Sequence, residues 1–170
     1  MEILKPRYLI LARHGTYDET TGELDENGRI MVSRLAEKLK KDYLLSLKLN
    51  LDYSPKLRTK QTAEIYQRIL KIPKERTREE HLIRGTKDDP TILEETRIEE
   101  ATRILERAIS SGQAEAYLFV THEDTAIDST KLFFQRNFST QKEKEIETLG
   151  FACALLIDLE NSNLLIRLRP

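Results

Sequence analysis

The chain is 170 residues long, 39% hydrophobic and 34% charged, and its 28 Lys/Arg against 29 Asp/Glu leave a formal net charge of −1. That is length enough for one well-buried core, and the charge balance gives no general electrostatic case for nucleic acid or an anionic membrane as a partner. The one cysteine, Cys153, has no second cysteine for a disulfide or a Cys-based zinc site, and its apolar setting FACALLID marks it as a core thiol.

The first apolar run, YLILA (8–12), has the continuity of a strand covered on both faces. The residues before it carry mixed charges and Arg13 cuts the run, so it reads as neither a signal peptide nor a membrane span. A cytoplasmic location is the expectation. Val32, Leu35, Ala36, Leu39 and Tyr43 then form one apolar helical stripe, with Asn27 or Gly28 at its start. LNLDYS (49–54) alternates as a short strand. Thr62, Ile65, Tyr66 and Ile69 form a second helical stripe that Pro73 closes, and KIPKERTREE (71–80) reads as solvated charge. Ile98, Ala101, Leu105 and Ala108 predict a third helix, stopped by SSG at 110–112. AYLFVT (116–121) is a second buried strand, followed by a shorter helix from His122 through Phe134. The tail, FACALLIDLENSNLLIRLRP, reads as two strands about a polar Glu-Asn-Ser-Asn turn. There is no internal repeat, low-complexity segment or linker. Residues 1–170 therefore read as one α/β domain, a three-layer α/β/α sandwich whose central sheet is mostly parallel with a C-terminal antiparallel hairpin.

In such sheets ligands bind beyond the carboxyl ends of the strands. Two histidines fall there: His14, within Arg13-His14-Gly15 after the first strand, and His122 after AYLFVT. Burying Arg13 and His14 together costs on the order of several kcal/mol unless both find partners. Those partners are either structural or chemical. Ser54 and Pro55 follow the LNLDY strand, and Arg58 falls on the first turn of the next helix. Unpaired N–H donors at a helix start and the fork of a guanidinium both match phosphate oxygens.

In order along the chain, Arg13-His14-Gly15, SPKLRTKQTAE (54–64) and VTHED (120–124) resemble the motifs of the histidine phosphatase superfamily, which has the phosphoglycerate-mutase-like fold. LDENGRIMVSRLAEKL (24–39) is similar to the segment joining that family's first two motifs, so the resemblance spans most of the chain. The short length and sparse insertions look most like the SixA-type phosphohistidine phosphatases. HLIRGTKDDP (81–90) also looks like a loop of a related mitochondrial protein Ser/Thr phosphatase. The resemblance implies that His14 is the nucleophile, with Arg13, Arg58 and His122 binding the phosphoryl oxygens. The chemistry suits those residue types: a neutral imidazole avoids the repulsion an anionic nucleophile meets, and cations stabilise the transferring group. No cofactor or metal is implied, and the sequence offers no clear ligand set for a metal.

The general acid has more than one candidate. Many family members carry a glutamate shortly before a glycine in the third segment, the place of Glu80 ahead of Gly85. Another branch has an acid directly after the second histidine, the place of Glu123, with Asp124 beside it. A plain surface role is open for both, and Asp18 is the next candidate. Ser54 is expected to cap or orient its helix, and His81 to be a surface side chain. The expected function is hydrolysis of a phosphorylated substrate, protein phosphohistidine first, through phospho-His14. The alternatives are a phosphoserine/threonine or small-molecule phosphomonoesterase, and a phosphate-recognising module without turnover. The expected partner is thus a phosphorylated protein or small phosphoester, with no nucleic acid and no membrane. Specificity is expected in loops 16–24 and 81–93.

Overall fold

The computed structural model describes residues 4–85, 93–138, 147–161 and 164–170. Strands β1 (Tyr8–Arg13), β2 (Leu49–Tyr53), β3 (Thr77–Glu79), β4 (Ala116–Thr121), β5 (Ala154–Asp158) and β6 (Leu164–Leu168) form one sheet in the order β3-β2-β4-β1-β5-β6. The pairs β3–β2, β2–β4 and β4–β1 are parallel, whereas β5 is antiparallel to β1 and β6 to β5. Helices α1 (Glu26–Asp42) and α2 (Leu57–Leu70) pack on one face, α3 (Glu94–Ser111) and α4 (Glu123–Asn137) on the other. This is the expected α/β/α sandwich. The tip of the β5–β6 turn, Ser162 and Asn163, lies outside the described residues.

The central strands earn their burial by alternation. Tyr8, Ile10 and Ala12 join the α1/α2 core with Leu118, Val120 and Leu156, while Leu9 and Leu11 join the α3/α4 core with Tyr117, Phe119 and Leu155. Cys153 is buried in the second core, which pushes its thiol pKa up. No helix among the described residues is long and apolar enough to cross a membrane.

Two expectations are corrected. α1 begins at Glu26 with Asp25 as N-cap: its Oδ1 accepts the Gly28 N–H and the Thr16 hydroxyl, both at 2.6 Å. Gly28 is not the start signal but a contact point, described below. The 71–80 stretch is not all solvated charge either. Thr77–Glu79 forms the edge strand β3, paired with β2 from Leu51↔Thr77 to Tyr53↔Glu79. A three-residue edge rich in charge is a poor template for further pairing, which suits an exposed margin.

Candidate active site

The parallel strands β1, β2 and β4 end side by side, and the residues that follow them meet above the sheet. The His14 N–H donates to the Thr121 carbonyl (3.3 Å), and the His14 carbonyl accepts from the Ala152 N–H (2.9 Å). Ala152 adopts φ 50°, a left-handed conformation uncommon for alanine, in making that contact. Next to His14 the backbone presses against α1. A Cβ on Gly15 would stand 2.7 Å from the Gly28 carbonyl oxygen, and one on Gly28 would stand 2.1 Å from that of Thr16. Both glycines are thus required by close approach, and the third residue of Arg13-His14-Gly15 is explained by packing alone.

The second motif holds the first in place. The Thr59 hydroxyl sits within donating reach of both the Ser54 and Lys56 carbonyls, the Gln61 side chain accepts the Leu24 N–H at 2.7 Å, and Thr62 Oγ1 accepts the Gly15 N–H at 3.4 Å. The polar residues of SPKLRTKQTAE therefore turn the start of α2 and tie it to the loop after β1. Arg58, in the first turn of α2, reaches the centre of the site.

The guanidinium of Arg58 bridges both histidines: Nε donates to His14 Nε2 at 3.0 Å, and Nη2 lies 3.3 Å from His122 Nδ1. Arginine only donates, so both of those ring nitrogens accept. The His14 proton therefore sits on Nδ1, which donates to the Gly15 carbonyl at 2.8 Å. The His122 proton sits on Nε2, which donates to Ser54 Oγ at 3.1 Å. His14 is 4% exposed and His122 6%. Burial, with His122 and the cations Arg58 and Arg13 nearby, pushes the His14 pKa down to about 3 against the opposing bond to Gly15. His14 is thus a neutral imidazole at physiological pH with its lone pair on Nε2.

Arg13 is organised differently. Its Nη1 donates to the Leu149 carbonyl (2.6 Å) and pairs with Glu123 Oε2 (2.7 Å), while Glu123 Oε1 accepts the Leu149 N–H (2.8 Å). The guanidinium also lies 3.9 Å from the Phe151 ring centroid. Burial lowers its pKa, and Glu123 opposes that most strongly. Tyr17 and Phe151 close over His14, with ring centroids at 5.3 and 5.7 Å, and Tyr17 carries the Arg58 guanidinium on its face at 4.6 Å. Gly85 reaches the opposite wall, where an added Cβ would stand 2.9 Å from the His122 ring. Together Arg13, His14, Arg58 and His122 line a cavity of about 540 Å³.

The candidate acids separate clearly. Glu80 does not line this cavity; its carboxylate accepts the Leu82 N–H at 3.2 Å and caps the 3₁₀ turn His81–Ile83. Asp18 is exposed and held below the usual carboxylate range by the Thr21 and Thr20 N–H groups, the opposite of what a proton donor needs. Glu123 lines the cavity but is engaged by Arg13 and Leu149, so it acts as an anchor. Asp124 also lines the cavity. Ser54 does not cap α2, whose N-cap is Lys56; it is fully buried and orients His122 instead. His81 is exposed beside Glu79, as expected.

No family model and no curated protein matches the sequence. Solved structures do resemble the fold. SixA from Agrobacterium tumefaciens, described as a candidate phosphohistidine phosphatase, is 16% identical, with 97% of this chain and 99% of that one covered at TM-score 0.67. The chain has the phosphoglycerate-mutase-like fold. A mycobacterial glucosyl-3-phosphoglycerate phosphatase is 15% identical, covering 88% of this chain and 89% of the other at TM-score 0.66. A phosphoserine phosphatase from Entamoeba histolytica, solved with 3-phosphoglyceric acid, is 14% identical, covering 96% of both chains at TM-score 0.65. At these identities the likeness is one of fold.

The sequence reading missed Tyr17, Leu149, Phe151 and the role of Ser54. Tyr17 lies three residues beyond His14 and could have been suspected from proximity. Phe151 had no signal, because only the loop before β5 folding back over His14 brings it into the site.

Proposed function

We propose that this chain is a histidine phosphatase that hydrolyses a phosphorylated substrate through a covalent phosphohistidine on His14. The observation that carries the reading is the His14 ring itself: neutral, its proton bound to the Gly15 carbonyl, and its Nε2 lone pair held among Arg58, His122 and Arg13. The substrate phosphoryl group takes the Arg58 donors, which frees Nε2 to attack phosphorus. The bond from phosphorus to the leaving group breaks as the N–P bond forms. The Nδ1–H···O=C bond to Gly15 supports the positive charge that the ring acquires. Water then attacks phosphorus, the N–P bond breaks, inorganic phosphate departs and His14 returns to its starting tautomer.

Within that class, protein phosphohistidine is the substrate we favour. A departing imidazole leaves readily once protonated, whereas a serine or alkyl oxygen needs a positioned acid worth about 10²–10⁴-fold. Of the acids anticipated from sequence, Glu80 caps a turn, Asp18 is a poor donor and Glu123 is paired with Arg13. Asp124, which lines the cavity, keeps phosphomonoester hydrolysis as the second reading. The test is one preparation assayed on phosphohistidine peptide, phosphoserine peptide and p-nitrophenyl phosphate, with rapid acid-free quench to trap the phosphoenzyme. Turnover of the first with an acid-labile, base-stable label on His14 is expected. Phosphate binding without any turnover would make the chain a recognition module instead.

A further inference from the structure

A second concavity lies on the other side of the molecule's chemistry. It is a groove of about 520 Å³ open to solvent, bounded by β2, β3, the C-terminal half of α3 and the Gly112–Gln113 turn. Its origin is in the alternation of β2. Leu49 and Leu51 enter the α1/α2 core, so Asn50 and Asp52 take the opposite face. Polar residues there give α3 nothing apolar to cover, and that end of the sheet face stays open. The groove runs toward the start of the strands: Asn50 precedes Ser54 by four positions, about 13 Å of extended chain. It is separate from the His14 cavity, and no residue lines both.

The groove is positive although the chain as a whole carries −1. Lys48, Arg76, Arg78 and Arg107 line it against Asp52 and Glu75. Asp52 is 4% exposed and already satisfied by a bidentate fork from Arg78, at 2.7 and 2.8 Å. Lys48, Arg76 and Arg107 make no side-chain hydrogen bond or ion pair among the described residues, and Glu75 is the one lining carboxylate not already paired. These cations come from separate elements: the residue before β2, the 3₁₀ turn Lys74–Arg76 and α3. Cations supplied by three elements along one groove match a chain that bears several carboxylates, and Asn50 offers its backbone a hydrogen-bonding partner.

We propose that this groove docks an acidic segment of a partner protein, one carrying several Asp or Glu residues. The proposal stands on charge complementarity and is independent of the phosphatase reading, because it concerns binding alone. Its test is fluorescence anisotropy of a short labelled peptide of alternating Glu and Ser, with the Lys-for-Glu peptide as control. The parent protein should bind the acidic peptide only, more weakly as salt rises. The double variant Arg76→Gln/Arg107→Gln should bind it about tenfold more weakly and keep the parent's activity on p-nitrophenyl phosphate. Substitutions at exposed sites such as Arg107 perturb folding little, and a thermal melt of the variant checks its folding. Lys48→Gln provides the same reading if the double variant melts early. Equal binding by variants and parent, or no binding by the parent, overturns the proposal. Displacement of the peptide by tripolyphosphate at lower concentration than by unlabelled peptide also overturns it, in favour of a small-anion site. Loss of catalysis on every phosphate substrate with peptide binding intact would sink the phosphatase reading and leave the docking groove standing.

Discussion

His14 and His122 stand at the ends of neighbouring parallel strands, yet they are held by different materials. His14 is fixed by backbone: its ring bonds the Gly15 carbonyl, its own N–H and C=O are taken by Thr121 and Ala152, and two glycines touch beside it. His122 is fixed by side chains. Ser54 Oγ takes its Nε2–H, and the hydroxyls of Thr121 and Thr125 hold the Ile83 and Arg84 carbonyls, which sets Gly85 against its ring. The difference teaches where tolerance lies. Backbone contacts cannot be trimmed by degrees, and a single added atom has nowhere to go, whereas a side-chain clamp can lose one member and keep the rest.

The largest effect should come from removing the ring proposed to attack phosphorus. His14→Asn is expected to lower turnover by about 10⁴-fold or more and to abolish phosphoenzyme labelling, because no neighbour can take its place. Labelling that survives in this variant would move the chemistry off His14.

A paired substitution tests the comparison directly. Gly28→Ala puts a methyl group 2.1 Å from the Thr16 oxygen, a clash with backbone, and should cost about 3 kcal/mol in urea unfolding. Gly85→Ala meets the movable His122 ring at 2.9 Å and should cost nearer about 1 kcal/mol while lowering activity. Equal costs would erase the distinction between the two halves.

The depressed pKa of His14 predicts a pH signature of stability. Between the ordinary value of 6.5 and the folded value of about 3, the unfolded chain binds a proton that the folded chain refuses. The contribution is therefore complete above pH 6.5 and falls as pH drops toward 3. Its slope is about 1.4 kcal/mol per pH unit for a single group. Urea unfolding of the parent and of His14→Asn across this range should differ by that slope. Parallel curves would mean that His14 is not buried neutral.

Smaller effects separate the two carboxylates. Glu123→Gln keeps an acceptor for the Leu149 N–H but loses the charge partner of Arg13, so KM should rise about tenfold with a smaller change in kcat. A fall confined to kcat on alkyl phosphates would restore Glu123 as the acid. Glu80→Gln should change every rate by less than about twofold, since a carboxamide can still cap the Leu82 N–H.

The legible part of this protein was the part written in short-range pattern. Continuous apolar runs marked β1 and β4 because strands buried on both faces admit no polar alternation, and the stripe through Val32, Leu35, Ala36 and Leu39 marked α1. Arg13, His14, Arg58 and His122 were legible because each sits at a strand end or in the first turn of a helix, within motifs that resemble those of the histidine phosphatase superfamily. β3 was hidden because three polar edge residues, two of them charged, need no apolar pattern to pair with β2.

Roles, in contrast to positions, were decided by contacts between segments far apart in sequence. Glu123 became an anchor because Arg13 and Leu149 converge on it across 110 and 26 residues. Ser54 became the partner of His122, 68 residues away, because β2 and β4 are adjacent in the sheet and end together. The sequence alone determined the central strands, the four long helices and the reactive side chains at their ends, since hydrophobic period and turn chemistry act within a few residues. Only the tertiary structure decided which ring nitrogen carries a proton, which carboxylate is occupied and which aromatic covers His14. Each of those depends on a partner that only strand order and loop packing bring within bonding distance.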